Sequence, residues 1–559
     1  MTIKQGRFRK IGEGRRGVFL VAAVFLLTAL VSALVLYGRD RYSFLYFGDA
    51  ASHIVKARQF VDGNTPASAR LGTVWLPLPH LLMVPAVAID ALFYGGIAGA
   101  VTGIPMYAGT CVLLFLIVRR LTGSAGLGFL GASLFGFNPN VVYIALTPMN
   151  EPALFFFLTL GGYALLRWID GGNGRWFTAA SVSVMLATLC RYEAWVIPPF
   201  LGYAALKYGP DHAAGETSES VRSRPGESGE RTRRATLPPA AAALVSFLGI
   251  LLWLGWNFIR YGDPLTFVRW TYGVAPQAVH DAPGREWYRA LWTYLTALFF
   301  VFGPVVLLVS AGILRKEAGA APGSPAPHGV AGARGNAAAR RTVILLVYFA
   351  LPALFTIASI AADFVQIDAW RWNWRLVLPA GMFFAVAASM GLPGVMTLVR
   401  SEGARAAVVV LLLFMPVVQL EFPAVGVAVY DDAHRVFSAD PQGGAHAGEF
   451  LGREYTGGDI ALITGYGQAE RIMVSSGIPL RAFHTLRNPA EGDPVATITN
   501  GEQFLVIGMQ KTAESTPYVE RWLASMDTLL STRRLRSDDG HYVILERKPE
   551  TDAHERAAD

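Results

Sequence analysis

The chain has 559 residues and a mean hydropathy of +0.38, with 53% of its residues hydrophobic and 16% charged. A soluble domain carries about a quarter charged residues, so this composition, drawn together into long apolar runs, excludes a purely soluble protein. The net charge of +7 does not point to nucleic acid, because Lys and Arg cluster in short stretches between apolar runs, where they set topology and face the anionic inner leaflet.

The first element is a basic tail, 1–16, carrying Lys4, Arg7, Arg9, Lys10, Arg15 and Arg16, followed by an apolar run over 17–37. The run is longer than a signal-peptide core and no small-residue cleavage site follows it, so it reads as an uncleaved span entering from the cytoplasm. Next comes a long outer loop, 38–97. Within it the segment 74–94, VWLPLPHLLMVPAVAIDALFY, has the length of a span but contains Pro77, Pro79, Pro85 and Asp90. Counting it as a crossing would put the Arg-rich loops outside, against the positive-inside rule. It is therefore expected to be re-entrant or interfacial, with a full span as the alternative.

Further spans are expected near 98–118, 125–145, 152–167, 176–190, 194–206, 238–258, 289–313, 342–360, 376–398 and 406–425. That makes about eleven crossings of a hydrocarbon core roughly 30 Å thick. Arg119, Arg120, Arg167, Arg175, Arg400 and Arg405 mark the cytoplasmic ends. Loops 207–236 and 314–341 are low in complexity and short of aromatic and β-branched residues, the composition of disordered cytoplasmic linkers. Cys111 lies inside an apolar run and Cys190 at the end of one, a pattern that suits neither a disulfide framework nor a thiolate metal site.

From about 435 the pattern changes. HAGEFLGREY, GQAERIMVSSG and TPYVERWLASMDTLLS read as helices, and DIALITG, LRAFHTL, QFLVIGMQ and HYVILERK as strands. Their alternation implies a small layered α/β domain over 435–548 outside the membrane, before a disordered tail, 549–559. The turn GYGQAE lacks the third glycine and the acidic residue of a dinucleotide loop, and reads as an ordinary strand-to-helix turn. The whole is a mainly α, polytopic membrane protein: a transmembrane domain over 17–425 and a small C-terminal α/β domain.

Charge at membrane depth is costly and usually functional. The expected topology gathers it on the outer face: Asp49, His53, Lys56 and Arg58 in FGDAASHIVKARQF, and Glu151 in TPMNEP. Arg191 and Glu193 in CRYEAW follow, then Arg260, Asp263 and Arg269, and finally Asp363, Asp368, Arg371 and Arg375 in DFVQIDAWRWNWR. Carboxylates there can supply a general base or hold a divalent cation, and arginines can clamp a phosphate. Trp195, Trp270, Trp370, Trp372 and Trp374 suit either an aromatic belt or contacts to sugar rings and an isoprenoid chain. Lys56 and Arg58 are expected on the polar face of an interfacial helix. Asp263, in Gly-Asp-Pro, is turn chemistry. His53 lies four residues after Asp49, and is expected to be either a ligand or an Asp-paired structural histidine.

FGDAASH after the first span, the Pro-aromatic stretch VWLPLPH, the second-loop TPMNEP, TLCRYEAW and the late RLVLP occur in an order that resembles the GT-C superfamily of membrane glycosyltransferases. The resemblance is nearest to the family 39 type, which includes protein O-mannosyltransferases and the aminoarabinose transferase of lipid A. It implies a sugar, hexosyl or pentosyl, moved from a polyprenyl phosphate to a hydroxyl on a lipid, glycan or protein. The reaction would run at the extracytoplasmic face of the cell membrane. Asp49 maps to the first-loop catalytic acid, Glu151 to the second-loop acid, and Arg375, with Arg191 and Arg371, to donor-phosphate contacts. His53 and Glu193 are candidates for holding a metal or supporting the ligand groups. Many relatives carry Asp-Glu where this chain has Asp49-Ala50, so no second acid stands there. The competing class is a non-enzymatic transporter or envelope assembly factor. Such proteins tend to show internal repeats and midplane charges, and neither is evident here.

Overall fold

The computed structural model describes residues 2–63, 71–72, 74–208, 237–269, 287–303, 330–362, 373–421, 444–464, 468–485, 502–509, 526–538 and 540–548, with a few single positions between them. Residues 209–236, Trp270, Asp363, Asp368, Trp370, Arg371, Trp372 and the tail 549–559, all singled out above, lie outside the described residues.

The membrane region is a bundle of apolar helices. In chain order these are α1 (Thr2–Arg39), α2 (Gly48–Asp62), α3 (Leu78–Val87), α4 (Asp90–Tyr94), α5 (Ala98–Thr122), α6 (Ala125–Gly136), α7 (Pro139–Leu146) and α8 (Glu151–Gly171). They continue with α9 (Gly174–Thr188), α10 (Ile197–Tyr208), α11 (Pro239–Val245), α12 (Leu248–Tyr261), α13 (Trp287–Phe302), α14 (Val330–Ala361), α15 (Ala380–Met396) and α16 (Glu402–Glu421). Helices occupy most of each expected span, although parts of 289–313 and 406–425 lie outside the described residues. Among the described residues five stretches, Arg15–Arg39, Ala98–Thr122, Glu151–Gly171, Pro239–Tyr261 and Ala339–Ala361, are by themselves long and apolar enough to cross a bilayer. The pair α6 and α7 turns by 63° at Phe137–Asn138, where Asn138 caps α7 and Pro139 starts it. Phe19, Leu27 and Leu34 of α1 and Leu252, Phe258 and Ile259 of α12 stand exposed. That is stable only with lipid as the solvent. The protein is a multi-pass membrane protein.

Segment 74–94 folds as α3, of ten residues, and α4, of five, separated at Ala88–Ile89. Ten residues rise about 15 Å, half a bilayer core. Helix α14 begins at Val330, inside the stretch expected to be disordered. The Ala-rich run GARGNAAARR has the propensity to extend the helix, which a reading for core-forming residues does not register.

The C-terminal region contains α17 (Ala445–Glu454), β1 (Asp459–Ile463), α18 (Gln468–Ser476), β2 (Phe483–Thr485), β3 (Glu502–Gly508), α19 (Met526–Thr532), β4 (Arg533–Asp538) and β5 (Tyr542–Arg547). The sheet has five strands in the order β2-β1-β3-β5-β4. Strand β1 pairs in parallel with β2 and β3, while β5 runs antiparallel to β3 and β4. Strand β4, RRLRSD, was not expected. It is an edge strand whose side chains are largely exposed, so its pattern lacks the apolar alternation that marks a half-buried strand.

The C-terminal region shares a core with the loop after α1. Ile54, Val55 and Ala57 of α2 and Met83 and Val87 of α3 pack in one buried cluster with Leu451, Ile460, Ile472, Met473 and Phe483. Arg58, expected on a polar face, is buried in this loop. It donates to Val87 O at 2.5 Å, to Asp90 at 2.6 Å and to Asp62 at 3.1 Å, and lies over the Phe93 and Tyr94 rings. It ties α2 to α3 and α4, a role its own helix does not reveal.

Candidate active site

Four segments converge at the end of the bundle where α8 begins. The first is the start of α2. A short 3₁₀ turn, Ser43–Leu45, leads through extended Phe47 into the helix, and Asp49 sits in the first turn. A carboxylate there is favoured by the helix dipole. Tyr143 of α7 fixes the approach by donating to Ser43 O at 3.0 Å.

The second segment is the Thr147–Asn150 turn and the start of α8, whose first residue is Glu151. This turn lies close on α5 because positions 99 and 103 are glycine. A Cβ at Gly99 would collide with Pro148, and one at Gly103 with the Ala145 carbonyl. The third segment follows α9. Arg191 is extended, with φ −153° and ψ 151°, and precedes a 3₁₀ turn, Tyr192–Val196, that carries Glu193. The fourth is the turn Trp374–Val377, carrying Arg375. It is entered through Asn373, at φ 58°, the one positive-φ residue other than glycine among the described residues. Asparagine tolerates this left-handed conformation better than most residues. Trp374 then stacks on Phe300 of α13, with centroids 5.5 Å apart and planes at 20°.

These segments build an alternating chain of charge. Arg375 Nη2 donates to Asp49 Oδ2 at 2.6 Å, and its Nε lies 3.9 Å from Glu151 Oε1. Arg191 Nη1 donates to the same Glu151 oxygen at 2.8 Å, while its Nε and Nη2 donate to Glu193 Oε1 at 3.0 and 2.7 Å. The Arg375 guanidinium also lies over the Phe47 ring, 5.1 Å from its centroid, and touches Met149 Sδ at 3.7 Å. Glu151 is buried, at 1% exposure. Burial works against charge on both arginines, but the carboxylates outweigh it: both are held above the ordinary guanidinium range, Arg191 chiefly by Glu151 and Glu193, Arg375 chiefly by Asp49 and Glu151.

The chain is not saturated. Arg375 Nε and Glu151 Oε2 are buried and make no hydrogen bond among the described residues. Buried polar groups are nearly always paired, so two adjacent unmet groups of opposite character fit a place where a polar ligand binds. Arg191, by contrast, is spent on two carboxylates.

The site thus brings together Asp49, Glu151, Arg191, Glu193 and Arg375. His53 does not pair with Asp49. Its Nδ1 lies 2.7 Å from His80 Nε2, one nitrogen donating to the other, and its ring packs on Trp75 at 4.3 Å. Both histidines are buried, and both are held well below their ordinary value of 6.5. For His53 the causes are burial, then Arg375, Arg191 and Lys56; for His80, burial, then His53 and Lys56. Nothing in sequence links His80 to His53. Asp263 accepts from Leu265 N at 3.0 Å, as turn chemistry requires, and also pairs with Arg269 at 3.0 Å. Among the described residues no group of three or more His, Cys, Asp or Glu could hold a metal ion. Glu193 faces Arg191 rather than a second acid or histidine.

Residues 93–212 match the family of dolichyl-phosphate-mannose-protein mannosyltransferases. No curated protein matches the chain by sequence. Among solved structures, ArnT from Cupriavidus metallidurans bound to undecaprenyl phosphate superposes with a TM-score of 0.52 at 12% identity, over 94% of this chain and 98% of that one. The Archaeoglobus fulgidus oligosaccharyltransferase AglB, in complex with an inhibitory peptide and a dolichol-phosphate, reaches a TM-score of 0.46 at 12% identity, over 87% of this chain and 69% of that one. The matched segment holds Glu151, Arg191 and Glu193, and the architecture is shared over nearly the whole length of both chains: the protein has the fold of ArnT, with a segment similar to the dolichyl-phosphate-mannose-protein mannosyltransferases.

Proposed function

We propose that the protein transfers a sugar from a polyprenyl-phosphate donor to a hydroxyl acceptor, with Asp49 as general base. The observation that carries this reading is the contact between Arg375 and Asp49 at 2.6 Å, with Glu151 behind them. One phosphate-seeking cation and one candidate base share a site at the end of an apolar bundle, where a lipid phosphate would lie. The undecaprenyl phosphate bound to ArnT supports the donor class.

In this mechanism the donor phosphate takes Arg375, whose Nε has no other hydrogen-bond partner among the described residues. Its oxygens replace Asp49 on the guanidinium, so the Asp49 carboxylate becomes available to the acceptor. The acceptor oxygen then attacks the anomeric carbon while Asp49 removes its proton. The bond from that carbon to the phosphate oxygen breaks, and polyprenyl phosphate leaves with its charge met by Arg375. Glu151 and Glu193 hold Arg191 in place, which supplies a second positive charge at the wall of the site. A divalent cation, if one takes part, would draw on Asp49 or Glu151; no step above depends on it.

The topology proposed with this function puts 38–97 and the C-terminal α/β domain outside the cell membrane, and the N-terminus and residues 207–236 inside. Cysteines introduced at positions 230 and 520 should label from opposite sides; labelling from one side contradicts it. The activity is tested by incubating the protein in lipid nanodiscs with a panel of polyprenyl-phosphate sugars and acceptors. Release of polyprenyl phosphate with at least one donor is expected, and no release with any overturns the proposal.

A further inference from the structure

The residues just before Asp49 are held from the C-terminal region. Arg471, in the middle of α18, sends its guanidinium into the loop after α1, donating from Nη2 to Tyr46 O at 2.7 Å and from Nε to Leu45 O at 3.2 Å. The side chain is buried. Burying a guanidinium on peptide carbonyls is costly unless its hydrogen bonds are well made, so the contact is a built feature rather than a surface coincidence.

What Arg471 holds matters more than how tightly it holds. Tyr46 is followed by Phe47, the ring beneath the Arg375 guanidinium, and then by the first turn of α2 with Asp49. The same stretch is gripped from the membrane side, where Tyr143 donates to Ser43 O and packs on Phe47 at 6.2 Å. Tyr46 Oη adds a bond to Asp40 Oδ2 at 2.7 Å. Carbonyls 43, 45 and 46 are thus fixed from two regions of the molecule before the chain enters α2. The packing of α2 and α3 on Ile472 and Met473 in one apolar cluster extends the grip along the helix.

We propose that Arg471 is a positioning residue for Asp49, and that the C-terminal domain is therefore a working part of the active site rather than an appendage. The Arg471 guanidinium bonds the carbonyls of Leu45 and Tyr46, and it acts by fixing the peptide that leads to Asp49. The inference rests on the base role proposed for Asp49, and its test separates the two.

The experiment uses the full chain in nanodiscs. Hydrogen–deuterium exchange is followed over residues 43–55, binding is measured with undecaprenyl phosphate alone, and turnover is read as polyprenyl phosphate released from the donor panel. Arg471→Met should speed exchange over 43–52 and leave exchange in β1 and β3 unchanged. It should leave undecaprenyl phosphate binding unchanged and lower turnover about 100-fold, the cost of roughly an ångström of misplacement. Arg471→Lys, which keeps the charge and can restore one bond, should fall between, and it decides the matter if the Met variant does not fold. In an Asp49→Asn background Arg471→Met should cost no further turnover, because both act through one group. Unchanged exchange over 43–52, or a full additional loss in the Asp49→Asn background, overturns the proposal. Exchange needs no substrate. If Asp49→Asn turns over like wild type, the base assignment fails, whereas the exchange result still decides whether Arg471 clamps the loop.

Discussion

Helix α8 carries a carboxylate–arginine cluster at each end, and the two are built differently. At its start, Glu151 meets Arg191 and, more loosely, Arg375, with Asp49 and Glu193 completing the group. At its end, Asp170 meets Arg120 of α5 and Arg341 of α14, the latter at 2.8 Å. The arginine side chains at the start are 12% and 16% exposed, whereas those at the end are 37% and 36% exposed. The start has three carboxylates to two arginines and leaves Glu151 Oε2 and Arg375 Nε unmet among the described residues; the end has one carboxylate, shared by two arginines, whose Oδ1, though 2.8 Å from Arg341, likewise makes no hydrogen bond. Partly exposed ion pairs that join helix ends anchor a bundle and contribute about 0–1 kcal/mol each. A cluster drawn from four segments around two largely buried arginines, with carboxylates in excess, is a poor stabiliser and a good ligand site.

Substitutions can break that comparison. The largest effect is expected at Asp49. Asp49→Asn keeps shape and hydrogen bonding but loses basicity, so transfer should fall by about 10²–10⁴-fold with folding and undecaprenyl phosphate binding retained. Next comes Arg375→Ala, which should weaken undecaprenyl phosphate binding by about 1.5–3 kcal/mol, whereas Arg341→Ala and Arg400→Ala should leave it unchanged. Equal effects from all three would reduce Arg375 to a topological anchor. Isothermal binding in nanodiscs reads both.

Stability sharpens the same contrast. Glu151→Gln strips the carboxylate from two buried arginines, and should destabilise by about 3 kcal/mol. Asp170→Asn, in its more exposed cluster, should cost about 1 kcal/mol or less. Thermal unfolding in one detergent compares the two. The smallest effect is one of pH. His53 and His80 are held neutral by burial, with folded values below the unfolded 6.5. Their contribution is present above pH 6.5 and is lost as pH falls from there toward the folded values. Melting temperature should therefore drop as pH falls below about 6.5, and His53→Gln, which does not titrate, should flatten part of that drop. An unchanged slope would mean that protonation elsewhere drives it.

Much of this could be read from sequence, for a physical reason. Charges beside apolar spans are rare enough that each stands out, and the Lys and Arg pattern assigns a side to every loop. On that basis fourteen charged or titratable residues from Asp49 to Arg375 are expected on one face, without a sign of which of them touch; the structure joins Asp49, Glu151, Arg191, Glu193 and Arg375 in one chain of contacts and leaves Asp263 paired with Arg269. What stayed hidden depends on partners far along the chain. Arg58 looks like any polar-face residue until Val87, Asp90 and Phe93 close over it. The His53–His80 pair joins positions 27 apart across a turn, with no periodicity to announce it. Arg471 lies more than 400 positions from the carbonyls it holds, in a helix whose own pattern speaks only of its sheet. The left-handed Asn373 is equally silent, since asparagine occupies many conformations.

The most direct test of the contrast between the two clusters is turnover of two variants side by side. Wild type, Asp49→Asn and Asp170→Asn are reconstituted in the same nanodiscs, matched for folded fraction, and assayed for polyprenyl phosphate released from the donor panel. Asp170→Asn is expected to stay close to wild type, while Asp49→Asn loses about 100-fold or more. Wild-type release by Asp49→Asn, or equal losses in both variants, would contradict this expectation.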